Sequence, residues 1–236
     1  MNWTYRDENW ILCPPRPVGL IHFLGGAFVA TAPQVTYDAF LRGLMAQGYA
    51  IVATRYLVQP DHEAIAADVT RSFNLTYQDL CGRKKLTPNL PVFGLGHSLG
   101  AKLQLLLACQ GNVPRMGNLL IAFNNFDSDR AIPFSEAIKP FIPLDFSPSP
   151  AETLATVQSC YQLEQTLILQ FQMDTLDDSL QLNAILKQKF PNTFINQTIY
   201  GDHLTPLAVN VDQRRQLEQV SVKWLRYQIK LSNKMG

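Results

Sequence analysis

The 236-residue chain is poor in cysteine, and Cys13, Cys81, Cys109 and Cys160 include no C-x-x-C pair and no zinc-site spacing. The expectation is four reduced thiols, with no metal and no other cofactor. Charge is also sparse: 17% of residues are Asp, Glu, Lys or Arg, against roughly 25% in an average soluble protein. With 20 basic residues, 19 acidic ones and a net charge of +1, there is no field to hold a polyanion, which argues against a nucleic-acid partner. The one basic cluster, Arg83, Lys84 and Lys85, lies between Gly82 and Pro88 and reads as a solvated loop. No stretch approaches the roughly 18 continuous apolar residues of a membrane span. The first residues, Met-Asn-Trp-Thr-Tyr-Arg-Asp-Glu, lack the basic then apolar pattern of a secretory signal. A soluble, cytoplasmic protein with no integral membrane association is expected. Internal repeats and low-complexity tracts are missing, which argues against a solenoid or a linker.

What is present is apolar material: 47% of the chain, enough for one sizeable core and a single domain. Short β-type runs at 18–23, 50–56, 91–95, 119–123, 167–171 and 194–199 alternate with helical patterns at 37–47, 62–80, 99–109, 150–162, 178–189 and 206–229. That alternation predicts an α/β fold with a mostly parallel sheet and helices on both faces, with 5–12 as an antiparallel edge. All the runs but the first are close to continuously apolar, as strands covered on both faces require. Gly48 is placed to cap the first helix, and Pro206 stands near the start of the last. The stretch 124–150 breaks the alternation. It holds five prolines together with Phe126, Ile132, Phe134, Phe141 and Phe146, which suits either a small cap over the carboxyl ends of the strands or a meandering surface segment.

Gly96-His97-Ser98-Leu99-Gly100 follows the apolar Pro-Val-Phe-Gly-Leu and precedes the helical Ala-Lys-Leu-Gln-Leu-Leu-Leu. This strand, G-x-S-x-G, helix order is the context of a nucleophile elbow, in which small residues two before and two after the serine permit a tight turn. Ser98 is thus the candidate nucleophile, with Gly96 and Gly100 forming the elbow. Beside it, the Leu99 N–H at a helix N-terminus is the candidate for half of an oxyanion hole. The loop His22-Phe23-Leu24-Gly25-Gly26-Ala27-Phe28 would give the other half, from Leu24 or Gly25.

A serine hydroxyl needs a base, and the chain has four histidines. His203 follows the last predicted strand, and elbows of this type are followed in chain order by an acid and then a histidine. His97 sits inside the elbow and cannot fold back onto its neighbour. His22 lies in the Gly25-Gly26 loop region, and His62 opens a helix. The acid is expected after the strand at 167–171, where Asp174 has the favoured loop position. Asp177 and Asp178 suit a helix N-terminus better, Asp127 and Asp129 hold an alternative acid position, and Asp202 should point elsewhere. His22, Phe23, His97, Phe126 and Phe134 are candidates for lining the pocket.

On these residues the chain resembles the α/β-hydrolase superfamily. It is more closely similar to a cyanobacterial and plastid group catalogued as a domain of unknown function, number 1350, through 22–28, 94–102, Phe123-Asn124-Asn125 and Asp145-Phe146-Ser147-Pro148-Ser149-Pro150. The resemblance implies the α/β-hydrolase fold, a Ser-Asp-His triad, and cytosol or plastid stroma. Two functions follow as expectations. One is hydrolysis of an ester or thioester with an apolar part, a small-molecule reaction needing no cofactor. The other is a non-catalytic protein that binds a lipid-like ligand or a protein partner.

Overall fold

The parallel strands are built from runs rich in Leu, Ile, Val and Phe, in which alternate side chains enter opposite helix layers. In the computed structural model, which describes residues 1–87, 89–111, 115–126, 146–207 and 210–235, they are β3 (Gly19–Leu24), β4 (Tyr49–Thr54), β5 (Val92–His97), β6 (Gly117–Ile121), β7 (Thr166–Phe171) and β8 (Ile195–Ile199). Two short strands, β1 (Thr4–Arg6) and β2 (Asn9–Leu12), precede them. The eight-stranded order is β1-β2-β4-β3-β5-β6-β7-β8, with the β1–β2 and β2–β4 pairs antiparallel and the remaining pairs parallel. The expected edge strand at 5–12 is therefore a hairpin. Asp7 and Glu8 take positive φ between its arms, as two-residue hairpin turns require.

One face of the sheet is covered by α2 (Asp38–Ala46), which the short α1 (Pro33–Thr36) precedes, and by α7 (Val211–Met235); α2 and α7 meet Ile21, Phe23, Ile51, Phe93, Leu95, Leu119, Ile121, Leu167 and Leu169 through Phe40, Leu44, Leu217, Trp224 and Leu225. The other is covered by α3 (His62–Gly82), α4 (Leu99–Gln110), α5 (Pro150–Cys160) and α6 (Ser179–Lys189), against Leu20, Val52, Val92, Leu120 and Ile168. Local chemistry sets the helix ends. Asp61 accepts from the Ala64 N–H at the head of α3, Ser149 and Glu152 form a capping box on α5 with Pro150 at its first position, and Gly48, at φ 97°, closes the α2 turn.

The first helical pattern, 37–47, is the single helix α2 with Tyr37 and Gln47 at its caps, and the short α1 precedes it. Two expectations need correction. Pro206 belongs to a separate 3-10 turn, Thr205–Leu207, and the last helix starts later, at Val211. The final strand is also not covered on both faces: β8 forms the open edge beside β7, and Ile195 is 39% exposed. Of the segment at 124–150, 127–145 lies outside the described residues.

Three histidines are buried: His22, His62 and His97. His22 joins a polar chain across β2, β3 and β4. Thr54 Oγ1 donates to Asn9 Oδ1 (2.5 Å), so His22 Nε2–H donates to Thr54 (2.9 Å), which leaves Nδ1 to accept from Arg115 (2.7 Å). Burial pushes the pKa of His22 well down, reinforced by the Arg115 charge. Burial also lowers His97 strongly, with the His203 charge adding to it, and lowers His62 to about 3, with Lys102 adding to it. In each case the unfolded chain takes a proton below pH 6.5 that the folded chain refuses. Stability is therefore complete above that pH and is lost as pH falls, down to about 3 for His62. With all three refusing, the unfolding free energy is expected to drop by about 4 kcal/mol per pH unit below pH 6. Urea unfolding over a pH series, read at constant m-value, measures this.

Candidate active site

A reversal in chain order decides where the site falls. From β3 the chain crosses to β4 on one side, and β5 returns to the other side of β3. The carboxyl ends of β3 and β5 thus border a topological switch point, where open α/β sheets bind ligands. Ser98 stands there, between β5 and α4, with φ 56° and ψ −123°, a conformation that L-residues adopt only where the surroundings enforce it. The Ser98 N–H donates to the Ile121 carbonyl (2.9 Å) and its carbonyl accepts from the Ala101 N–H (3.0 Å). Packing explains both elbow glycines. A Cβ on Gly96 would overlap the Gly100 carbonyl and come within 2.6 Å of Ala101 Cα, and one on Gly100 would overlap the Leu24 carbonyl. All of these are main-chain atoms that cannot turn aside.

Ser98 holds the N-cap position of α4, yet its side chain caps nothing. Its half-buried hydroxyl instead meets His203 Nε2 at 3.0 Å. His203 follows β8, and its Nδ1 lies 2.8 Å from Asp174 Oδ2. The Asp174 side chain is fully buried and that of His203 is 15% exposed. Asp174 follows β7, and its other oxygen accepts from the Leu176 N–H (2.8 Å). The carboxylate is therefore anchored on one side and aims at the imidazole with the other. Because a carboxylate only accepts, Nδ1 carries the proton in the neutral ring, and Nε2 is left with a lone pair toward Ser98. Three side chains from the ends of three strands form one line of hydrogen bonds.

The neighbouring carboxylates are engaged elsewhere. Asp177 Oδ1 accepts from the Ser179 N–H (3.0 Å), the Ser179 hydroxyl and Gln170 Nε2 (3.0 Å), at the head of α6, and burial raises its pKa. Asp178 occupies the N-cap position of α6. Asp202 Oδ1 accepts from the Leu204 N–H (2.9 Å), so it shapes its own turn. Asp127 and Asp129 lie outside the described residues.

The family model described as protein of unknown function, DUF1350, matches residues 2–230. The chain belongs to this family. No curated protein matches it. Among solved structures, the DUF1350 chain is similar to a fungal esterase from Rhizomucor miehei (TM-score 0.72, 15% identity, 95% of this chain and 80% of that one). It is also similar to a sugar hydrolase from Lactococcus lactis (0.67, 18%, 97% and 99%) and to a monoacylglycerol lipase from Paleococcus ferrophilus (0.64, 13%, 94% and 99%). At such identities the likeness is one of fold, and the fold of this DUF1350 member is the α/β-hydrolase fold.

The loop after β3 lies against the elbow: a Cβ on Gly26 would stand 3.2 Å from Ser98 Cβ. Within that loop, the Gly26 N–H donates to the Tyr37 hydroxyl (2.8 Å) and the Gly25 carbonyl accepts from the Tyr56 hydroxyl (2.5 Å). Leu99, the first residue of α4, belongs to the turn whose N–H groups have no carbonyl behind them. The candidate pocket residues fare differently. His22 and Phe23 are fully buried inside β3, His22 stacked on Phe73 and Phe23 against Tyr37, so neither lines a pocket. His97 is 2% exposed and faces Tyr37 and the main chain of His203. Phe126 is half-buried just after β6, and Phe134 lies outside the described residues. His62 packs on Phe146. The residues that sequence reasoning missed are Tyr37, Tyr56 and Gly26. Only the Gly25-Gly26 pair carried a local signal, and the tyrosines are recognisable only through their partners. All four cysteines are free thiols. Among the described residues no helix is long and apolar enough to cross a membrane, and no group of three or more His, Cys, Asp or Glu is placed to hold a metal ion.

Proposed function

We propose that this protein is a serine hydrolase of esters or thioesters that works without a cofactor. Ser98 is the nucleophile, His203 the general base and Asp174 the group that orients and charge-stabilises the histidine. The observation that carries this reading is the unbroken line Asp174 Oδ2, His203 Nδ1, His203 Nε2, Ser98 Oγ, with steps of 2.8 and 3.0 Å across the ring. Both fall within the reach a base needs in order to take a proton during attack. Ser98 Oγ adds to the carbonyl carbon as His203 Nε2 takes its proton, and the imidazolium is held by Asp174. The tetrahedral oxyanion is met by the Leu99 N–H and by a second N–H from Leu24 or Gly25. Such donors are each worth roughly 3 to 4 kcal/mol in the transition state. Gly26 is not that donor, because its N–H is taken by Tyr37. The proton then passes to the leaving alcohol or thiol. Water, deprotonated by the same nitrogen, releases the acid from Ser98 and returns the enzyme to its starting state.

The rim of the site supports an apolar substrate part. Phe28 (65% exposed), Leu57 and Met173 lie on the loops that follow β3, β4 and β7, and Leu204 lies in the turn beyond β8. Each is a large apolar side chain left in water at the carboxyl edge of the sheet, where a chain of methylenes would cover it. The esterase and lipase that share the fold are consistent with this chemistry. A binding protein without catalysis would be favoured by a base out of reach of the serine, and His203 is within reach.

Incubation with p-nitrophenyl esters and acyl thioesters of increasing chain length tests the proposal. The expected result is turnover that rises from short to medium chains, with an acyl adduct on the peptide containing Ser98 when the reaction is quenched early. A folded protein that turns over none of these and carries no adduct would end the hydrolase reading in favour of a site that binds without reacting.

A further inference from the structure

His97 is not spare packing inside the elbow. Its Nε2 lies 3.0 Å from the His203 carbonyl oxygen and its Nδ1 lies 2.8 Å from the Tyr37 hydroxyl. A carbonyl only accepts, so Nε2 carries the proton. Burial keeps the ring neutral, so Nδ1 is bare and accepts from Tyr37. The tyrosine oxygen in turn accepts from the Gly26 N–H at 2.8 Å, and burial holds its hydroxyl protonated. Every donor in this relay has one acceptor, and its direction is forced from one end to the other: Gly26 N–H to Tyr37 O–H to His97 Nδ1, then His97 Nε2–H to the His203 carbonyl.

We infer that His97 and Tyr37 are positioning residues that clamp the main chain of the base, His203, and the loop of the second oxyanion donor to the elbow itself, so that the three parts of the site keep one geometry. This rests on the reading of Ser98 as nucleophile and His203 as base. The clamp ties the loop after β3 and the turn before α2 to the elbow 60 residues on from Tyr37, and the elbow to the turn after β8 a further 106 residues along. Both of its ends lie next to reacting groups, since Gly26 packs on Ser98 and the His203 carbonyl belongs to the residue whose Nε2 meets Ser98 Oγ. The His97 and His203 rings are 4.9 Å apart. A proton on His97 would therefore oppose the imidazolium that forms on His203, and the relay, which gives Nδ1 a donor to accept from, leaves it no place for one.

The side-chain amides separate clamping from mere filling of space. Glutamine at 97 places its amide where Nε2 was and can still donate to the His203 carbonyl. Asparagine reaches only toward Tyr37, and alanine reaches neither. The expected order of phosphonylation rate with a fluorophosphonate, and of kcat with a p-nitrophenyl ester, is unaltered protein, then His97→Gln, then His97→Asn and His97→Ala. The last two should fall about 100-fold in kcat, as expected for misplaced reacting groups, with KM changing little. Glutamine no better than alanine, or losses carried by KM, would overturn the inference. Nitrogen-15 NMR of the unaltered protein needs no variant to fold: it should show His97 as the neutral Nε2–H tautomer with a hydrogen-bonded Nδ1, and an Nδ1–H tautomer would overturn the clamp outright. Failure of the underlying reading looks different, because the unaltered protein would then show no turnover or labelling, or would keep them in Ser98→Ala, whatever the His97 tautomer.

Discussion

Ser98→Ala is expected to lower kcat for a p-nitrophenyl ester by about a million-fold, the scale on which loss of the nucleophile in a serine triad is felt. The remainder would come from the oxyanion donors and binding alone. Because the serine side chain makes no capping bond, its removal takes nothing from α4. Alanine also tolerates φ 56° about as well as serine does. The variant should therefore unfold within a few degrees of the unaltered protein while losing nearly all turnover. That split distinguishes a reacting group from a structural one, and circular dichroism melts run beside steady-state kinetics will show it.

Asp174→Asn is expected to cost about ten-thousand-fold in kcat with KM nearly unchanged, through the tautomer and not through charge alone. The carboxylate accepts from the Leu176 N–H with Oδ1 and faces His203 Nδ1 with Oδ2. In the asparagine variant the oxygen is retained by Leu176, so the amide N–H₂ turns toward the imidazole. Nδ1 must then accept, the ring proton moves to Nε2, and the histidine offers Ser98 a donor where it needs a base. Asp177→Asn is the control. Asp177 is bound to Ser179 and Gln170, so its replacement should disturb the start of α6 and leave kcat within a few-fold. A large loss at Asp177 with a small one at Asp174 would reassign the acid.

The hydrogen-bonded line Asp174, His203, Ser98 was legible as a candidate because each residue lies just past the end of a strand predicted from its apolar run: Ser98 after β5, Asp174 after β7 and His203 after β8. Side chains there escape the helix layers. The same rule explains why His22 and Phe23 were misjudged as pocket candidates. They are inside β3, and in a sheet covered on both faces every residue within a strand points into one layer or the other. His22 therefore needed Thr54 and Arg115 as partners, and Phe23 packs on Tyr37. His97 closes β5 and obeys the same constraint. The alternation of strands and helices gave the architecture, but pattern alone could not show that β8 is an uncovered edge, since Phe194 and Ile195 read like an interior strand until the sheet order is known. Nor could it separate the Thr205–Leu207 turn from α7, because Pro206 suits the start of either. Tyr37 was invisible for a different reason: its importance lies in contacts 11 and 60 residues away along the chain, and no local pattern encodes them.

Fluorophosphonate labelling tests the central claim most directly, because it reads the activation of one hydroxyl without knowledge of the natural substrate. The account predicts one phosphonyl group per chain, located on Ser98, lost in Ser98→Ala and in heat-denatured protein, and strongly slowed in His203→Ala. A folded protein that is not labelled, or one labelled equally well without His203, would contradict it.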